Sequence, residues 1–248
     1  MKKAIDTIVA VTVLLMGPAL ISGSEIEELR SAVEATEWTN AKALGESLTA
    51  ADQEGGEAFY LLGKAYVGLG EHEAAVAALK KANTIVEDNA DYLADYGYAL
   101  ILRGQEMNMF QAGPVYMRAM DQYKAAVKAD PDHLASHIGL SRYYMNAPAI
   151  GGGSMKKSKD HAAEIARINP YLGHIEHAMI AQKESRNEEA EAEFAAAIAM
   201  KSDEAWVYFE LAKLQQMVGK MQDAKSSYEK VLALDPSHEG AKAALSAF

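Results

Sequence analysis

The sequence predicts an all-α chain, an α-solenoid of about six helical hairpins closed by a C-terminal capping helix. Three observations carry this. Apolar residues recur at i, i+3, i+4 and i+7, no stretch alternates strictly enough for a strand, and the pattern returns after about 34 residues. In the clearest copy Phe59, Leu62, Gly63 and Tyr66 share one helix, Gly70-Glu71-His72 forms a turn, and Ala75, Leu79 and Ala82 share the next. The last copy keeps the register with Tyr208, Leu211 and Ala212, the turn Gly219-Lys220-Met221, then Ala224, Tyr228, Val231 and Asp235-Pro236. Small residues at these places let two helix backbones approach, bulky ones fill the gap between hairpins, and the proline marks where a helix stops.

Counting in that frame, hairpins begin near Ser22, Gly56, Ala90, Asp132, Tyr171 and Ala205, and a closing helix runs from His238 to Phe248. The first hairpin is degenerate, with helices over Ile26–Ala35 and Asn40–Ala51 joined at Thr36-Glu37-Trp38-Thr39, and suits an N-terminal cap. The fifth is weak, since His174 and His177 stand where large apolar residues are usual, yet Ala190, Phe194 and Ala197 hold its second helix in register. Two hairpins are lengthened. The third carries Gly104-Gln105-Glu106-Met107-Asn108-Met109-Phe110-Gln111-Ala112-Gly113-Pro114 between its helices, with Pro114 expected in the first turn of the second. The fourth carries Asn146-Ala147-Pro148-Ala149-Ile150-Gly151-Gly152-Gly153-Ser154, with Ser154 expected to cap a helix running to Ile168. Insertions in repeat arrays fall on one face, so these two are expected to be neighbours.

Composition narrows the function. Half of the 248 residues are apolar, enough for a sizeable core, and a formal charge of −11 makes nucleic acid a poor partner. Without any cysteine there are no disulfides, thiol nucleophiles or thiolate metal sites. At the start, Met1-Lys2-Lys3 precedes an apolar run from Ile8 to Ile21, and Ser22, Gly23 and Ser24 stand before acidic Glu25. This is the pattern of a secretory signal peptide over residues 1–24, with a run interrupted by Gly17-Pro18 and short for a bilayer span. The expected organisation is therefore a signal peptide at 1–24 and a helical repeat domain at 25–248, in a periplasmic or secreted bacterial protein without a stable membrane span once the leader is cleaved.

The repeat landmarks resemble those of tetratricopeptide repeat proteins, and Ala147-Pro148-Ala149-Ile150-Gly151-Gly152-Gly153-Ser154, followed by Lys156, Lys157 and Ala162, is similar to a loop found in a group of exported bacterial members. The resemblance implies a right-handed superhelix and a non-catalytic role in which a partner protein or peptide lies in the concave groove. Some exported members of similar design bind apolar small molecules, and a lipid-like ligand in a cavity closed by the two insertions is the alternative. In such a stack the first helix of each hairpin lines the groove. The candidate contacts are Tyr60, Lys64, Tyr98, Tyr143, Tyr144, Met179, Trp206, Phe209 and Lys213, with Gly151, Gly152, Gly153 and Ser154 as a loop at the rim. A groove of Tyr, Met and Phe suits an apolar peptide or greasy molecule, because such side chains offer large contact area at little entropy cost. A cationic clamp for an acidic peptide tail finds only Lys64 and Lys213, in widely separated units.

Other constellations read more simply as structure. Met107, Met109, Met117 and Met120 are soft ligands suited to monovalent copper, but flexible Met side chains more commonly line an adaptable pocket or fill an irregular junction. His133 and His137, His174 and His177, and His161 have ligand-like spacing, yet no hydrolase motif accompanies them. Ser154-x-x-Lys157 and Ser227-x-x-Lys230 match a string of penicillin-recognising enzymes, without the companion motifs or the sheet those enzymes need. The sequence therefore predicts no enzyme, cofactor or metal site.

Overall fold

The computed structural model describes residues 23–51 and 55–248; the leader assigned to 1–24 lies, but for its last two residues, outside them. The described residues form thirteen α-helices and no strand. None of these helices is long and apolar enough to cross a membrane. The chain divides into two compact units, one ending at Ile85 and one running from Val86 to Phe248.

In the first unit α1 (Gly23–Glu34) pairs with α2 (Trp38–Ala51) and α3 (Gly56–Gly68) with α4 (His72–Ile85). Leu29, Val33, Leu48 and Leu61 are buried together with Ala32, Ala41, Ala58 and Ala65. The close approaches predicted for small residues are present: a Cβ on Gly63 would stand 2.5 Å from Leu79 Cγ, and one on Gly68 would overlap the Trp38 ring.

The second unit pairs α5 (Ala90–Gln105) with α6 (Met109–Ala129), α7 (Leu134–Asn146) with α8 (Met155–Ile168), α9 (Pro170–Lys183) with α10 (Asn187–Met200), and α11 (Ala205–Met217) with α12 (Met221–Leu234). Helix α13 (Glu239–Leu245), capped by His238, closes it by burying Ala241 with Tyr228, Val231, Ala212 and Ala224. The six hairpins and the closing helix fall where the repeat places them. Ser154 caps α8 as expected, its hydroxyl accepting from the Lys157 N–H.

One boundary differs. Only Glu106–Asn108 separate α5 from α6, so most of the first insertion is helix rather than loop, and Pro114 lies inside α6 instead of in its first turn. Asn108 explains the earlier start. Its side chain accepts from the N–H groups of both Phe110 and Gln111, satisfying orphan donors of a helix that starts at Met109, well upstream of a proline-led start at Pro114. Pro114 then costs one backbone bond without ending the helix.

The degenerate first and fifth hairpins have a local cause. In the clear repeats the turn glycines Gly70 and Gly219 take φ of +74° and +82°, and the N–H groups of each glycine and of the residue after it donate to the carbonyls of Val67 and Tyr66, or of Gln216 and Gln215. Thr36 and Ser185 occupy the same position with φ of 57° and 61° and make the same bonds. The turn is thus kept while its glycine signal is absent. Gly173 serves a different end, since a Cβ there would overlap the backbone of Ala166 on α8. Gly219→Ala is expected to lose roughly 1–2 kcal/mol through left-handed strain alone, and Gly173→Ala roughly 1–3 kcal/mol by forcing α8 and α9 apart. Urea unfolding of both variants checks this, with a larger fall in α8–α9 amide protection for Gly173→Ala.

Candidate ligand-binding cleft

Within the second unit, one stripe of α5 faces one stripe of α7. On α5 it is Ala94, Asp95, Tyr98, Ile101, Gly104 and Gln105; on α7 it is Ala135, Ile138, Gly139, Arg142, Tyr143 and Asn146. Both follow the three- and four-residue spacing that keeps side chains on one helix face. The N-terminal half of α6 contributes Met109, Ala112, Pro114, Tyr116 and Met117, Met107 stands just before it, and Ala147, Pro148 and Gly151 complete a half-open cleft of about 1150 Å³. The two insertions are therefore neighbours, as their positions in the repeat predict.

Tyr123 of α6 forms part of the wall and is held by missing side chains. A Cβ on Gly139 would come within 2.7 Å of its ring and one on Gly97 within 3.2 Å, so two glycines on two helices make the slot it fills. Burial raises its phenol pKa, the nearby Asp95 and Tyr98 raise it further, and Arg142 pulls it back. Gly104 likewise leaves room for the Tyr116 ring against α5.

The glycine-rich segment is tied into the cleft wall by hydrogen bonds. Tyr143 Oη donates to the Gly151 carbonyl at 2.5 Å, the N–H groups of Gly151, Gly152 and Gly153 bond to Pro148 or Ala149, and Ser154 N–H donates to the Tyr144 carbonyl. Gly152 has φ of +88°, and a Cβ on Gly153 would overlap the Ala147 carbonyl oxygen, so both need glycine.

Arg142 brings a cation to this wall already paired. Its Nε and Nη2 donate to Glu176 Oε1, both at 2.9 Å, while Ser141 Oγ donates to Oε2 at 3.2 Å. Glu176 is 1 % exposed. Burial pushes its carboxyl up, against the pull of Arg142 and Ser141.

Of the nominated contacts, Tyr98, Tyr143 and Gly151 reach the cleft, and Gly152, Gly153 and Ser154 build its rim. Tyr144 is buried instead, its ring parallel to His161 at 5.7 Å with Lys157 above it at 5.2 Å. Met179 packs against Met145, Ala162 and Ile180. Phe209 meets Tyr228 edge-on at 5.7 Å and His238 at 4.5 Å, anchoring α13, with Lys213 above it at 5.5 Å. Trp206 is partly exposed on α11. In the first unit Tyr60 packs on the core beneath Lys64 at 5.4 Å. Residues not nominated include Ile138, Gly139, Arg142, Tyr116 and Tyr123. Their available signal was Gly97 and Gly139 inside helices, where glycine costs about 1 kcal/mol relative to alanine and so points to a close neighbour.

The methionines divide between roles: Met107, Met109 and Met117 line the cleft, while Met120 is core. Four of the five histidines with ligand-like spacing are engaged structurally. His133 caps α7 and reaches Asp91 at 3.1 Å, and His174 meets Glu193 at 2.6 Å. No group of three or more His, Asp or Glu among the described residues is placed to hold a metal ion. His137 Nε2 lies 3.0 Å from the Pro131 carbonyl, which only accepts, so Nδ1 is left to accept from His161 Nδ1–H at 3.0 Å.

Two stretches, 56–89 and 207–238, match the tetratricopeptide repeat. No curated protein matches the chain. Among solved structures it is similar to PilW, a type IV pilus biogenesis factor (15% identity, 92% of this chain and 99% of that one covered, TM-score 0.71). It is similar to pilF of Pseudomonas aeruginosa (15%, 91% and 96%, 0.63) and to Acl4, an assembly chaperone of RpL4 (14%, 90% and 94%, 0.63). At such identities the likeness is one of fold, the all-helical solenoid of tetratricopeptide repeats.

Two outcomes follow from the cleft's construction. Tyr143→Phe is expected to cost roughly 0.5–1.5 kcal/mol and to speed amide exchange across residues 149–154, measured by hydrogen exchange. His161 is held below its ordinary pKa, first by burial and then by His137. The unfolded chain therefore takes up a proton that His161 refuses in the folded state, and stability falls as pH drops through about 6.5. Thermal midpoints between pH 7.5 and 5.5 should show a shallower fall for His161→Gln than for the parent.

Proposed function

We propose that this chain is an exported, non-catalytic binding protein in which the cleft of the second unit receives a segment of a partner protein, in an assembly or adaptor role. The observation that carries the reading is the large apolar cleft itself, with walls set by glycine contacts and hydrogen bonds before any ligand arrives, which lowers the ordering cost of binding. Exposed apolar side chains continue beyond its walls: Phe110 is 93 % and Ile150 is 99 % exposed. Such surface is typical of interaction sites. The repeat fold agrees with a scaffold, and two of its structural likenesses are a pilus biogenesis factor and an assembly chaperone.

The residues that could suggest chemistry are occupied otherwise. Ser154 caps α8 while Lys157 lies over Tyr144, and Ser227 Oγ donates to Gln215 while Lys230 lies over Tyr208 at 5.8 Å. Export rests on the basic start, the apolar run from Ile8 to Ile21 and the small residues before Glu25.

A photo-reactive benzophenone amino acid at Met117, expressed in the native host, tests the reading. A discrete protein adduct recovered with the exported fraction, and lost on Tyr98→Glu, is expected. An adduct of lipid mass only, an equal yield from a control reporter at Met200, or a chain confined to the cytosol overturns it.

A further inference from the structure

The cleft carries oxidisable groups in its own wall, and what they do to its occupancy rests on the binding role proposed above. The chain has no cysteine, so its thioethers are the side chains that a peroxide attacks most readily. Attack follows exposure. Of the methionines that line the cleft, Met109 is 84 % and Met117 is 56 % exposed. They stand eight residues apart on α6, about 12 Å along its axis, with Gly113 midway between them in the same wall. Where Gly97 and Gly139 make room for a ring, a Cβ on Gly113 would meet only open space among the described residues. The strip between the two thioether side chains is therefore bare. Met120, one turn beyond Met117, is buried in the core, and Met145 is buried beside Met179.

Oxidation at these two positions changes the chemistry of the wall. When a peroxide meets a thioether its O–O bond breaks, an S–O bond forms, sulfur gives up two electrons and the second oxygen leaves as water. A flexible apolar side chain becomes a polar sulfoxide, whose oxygen only accepts. Covered by an occupant, that oxygen needs a donor. On the facing helix Tyr143 and Asn146 already donate to the carbonyls of Gly151 and Arg142, and Arg142 donates to Glu176. An apolar occupant offers no donor either, so the sulfoxide would exchange water for apolar contact. We propose that Met109 and Met117 are reversible oxidation sites of the cleft, whose sulfoxides release the apolar segment it holds. Two electrons and two protons from a thiol-based sulfoxide reductase remove the oxygen as water and restore the wall.

Graded hydrogen peroxide on the full chain tests this, read by peptide mass mapping and by uptake of the neutral apolar dye phenylnaphthylamine. Met109 and Met117 are expected to gain one oxygen roughly fivefold faster than Met120 and Met145. At doses that leave circular dichroism unchanged, dye affinity should fall roughly fivefold and return after treatment with a methionine sulfoxide reductase. Each variant is compared with its own untreated state. Met109→Leu/Met117→Leu should then show no fall, whereas Met200→Leu/Met217→Leu/Met221→Leu, which removes exposed thioethers outside the cleft lining, should show the parental one. If Met109 and Met117 carry oxygen while dye uptake, abolished by Tyr98→Glu, is unchanged, the inference falls and the cleft stays a binding site. Slow oxidation of both, or an equal fall in Met109→Leu/Met117→Leu, overturns it as well. Dye uptake that Tyr98→Glu leaves intact, or no uptake at all, also sinks the inference, and the photo-adduct at Met117 then decides the binding role separately.

Discussion

Glycines make room between helices in this protein, and the second unit depends on that constraint. Gly97 and Gly139 give up about 1 kcal/mol each in helix propensity, and the return is a slot for the Tyr123 ring between α5, α6 and α7. With that ring in place the facing stripes of α5 and α7 stand apart as walls. Gly173 allows the reverse, an intimate contact of α9 with α8, so that Glu176 is drawn inside to meet Arg142. Position by position, the presence or absence of a Cβ decides whether two hairpins close on one another or leave a hollow.

The glycine-rich loop shows how local chemistry turns into site geometry. A glycine run reads as flexibility when viewed alone. Here Gly152 supplies a left-handed turn, Gly153 a backbone approach that no side chain permits, and Tyr143 draws the Gly151 carbonyl to its hydroxyl. The segment becomes a wall whose outer residue, Ile150, faces solvent. Polar groups are spent in the same way: Glu176 neutralises Arg142, and His137 and His161 satisfy one another and a carbonyl. What remains along the cleft is largely apolar surface.

Much of the architecture was legible in the order of residues. Helix pairs, their number, the Ser154 cap and the closing helix follow from a small/large alternation whose physical meaning is local: which face of a helix is apolar and where the chain must turn. The Asn108 cap outweighed Pro114 because two satisfied N–H groups count for more than one lost bond. Thr36 and Ser185 concealed two turns because the left-handed conformation is costly, not forbidden, for residues with a Cβ.

The sequence by itself determined that the chain is a helical repeat with two insertions in adjacent hairpins, and that Tyr98 and Tyr143 belong to the first helices of those hairpins. Only the tertiary structure decided that Tyr98 and Tyr143 border a hollow while Tyr144 and Phe209 fill the core. Repeat periodicity specifies the helix face on which a residue lies. Whether that face meets a neighbour or open space depends on how far apart the backbones sit, and that distance is set by residues such as Gly139 and Tyr123, remote in sequence from the side chains they position.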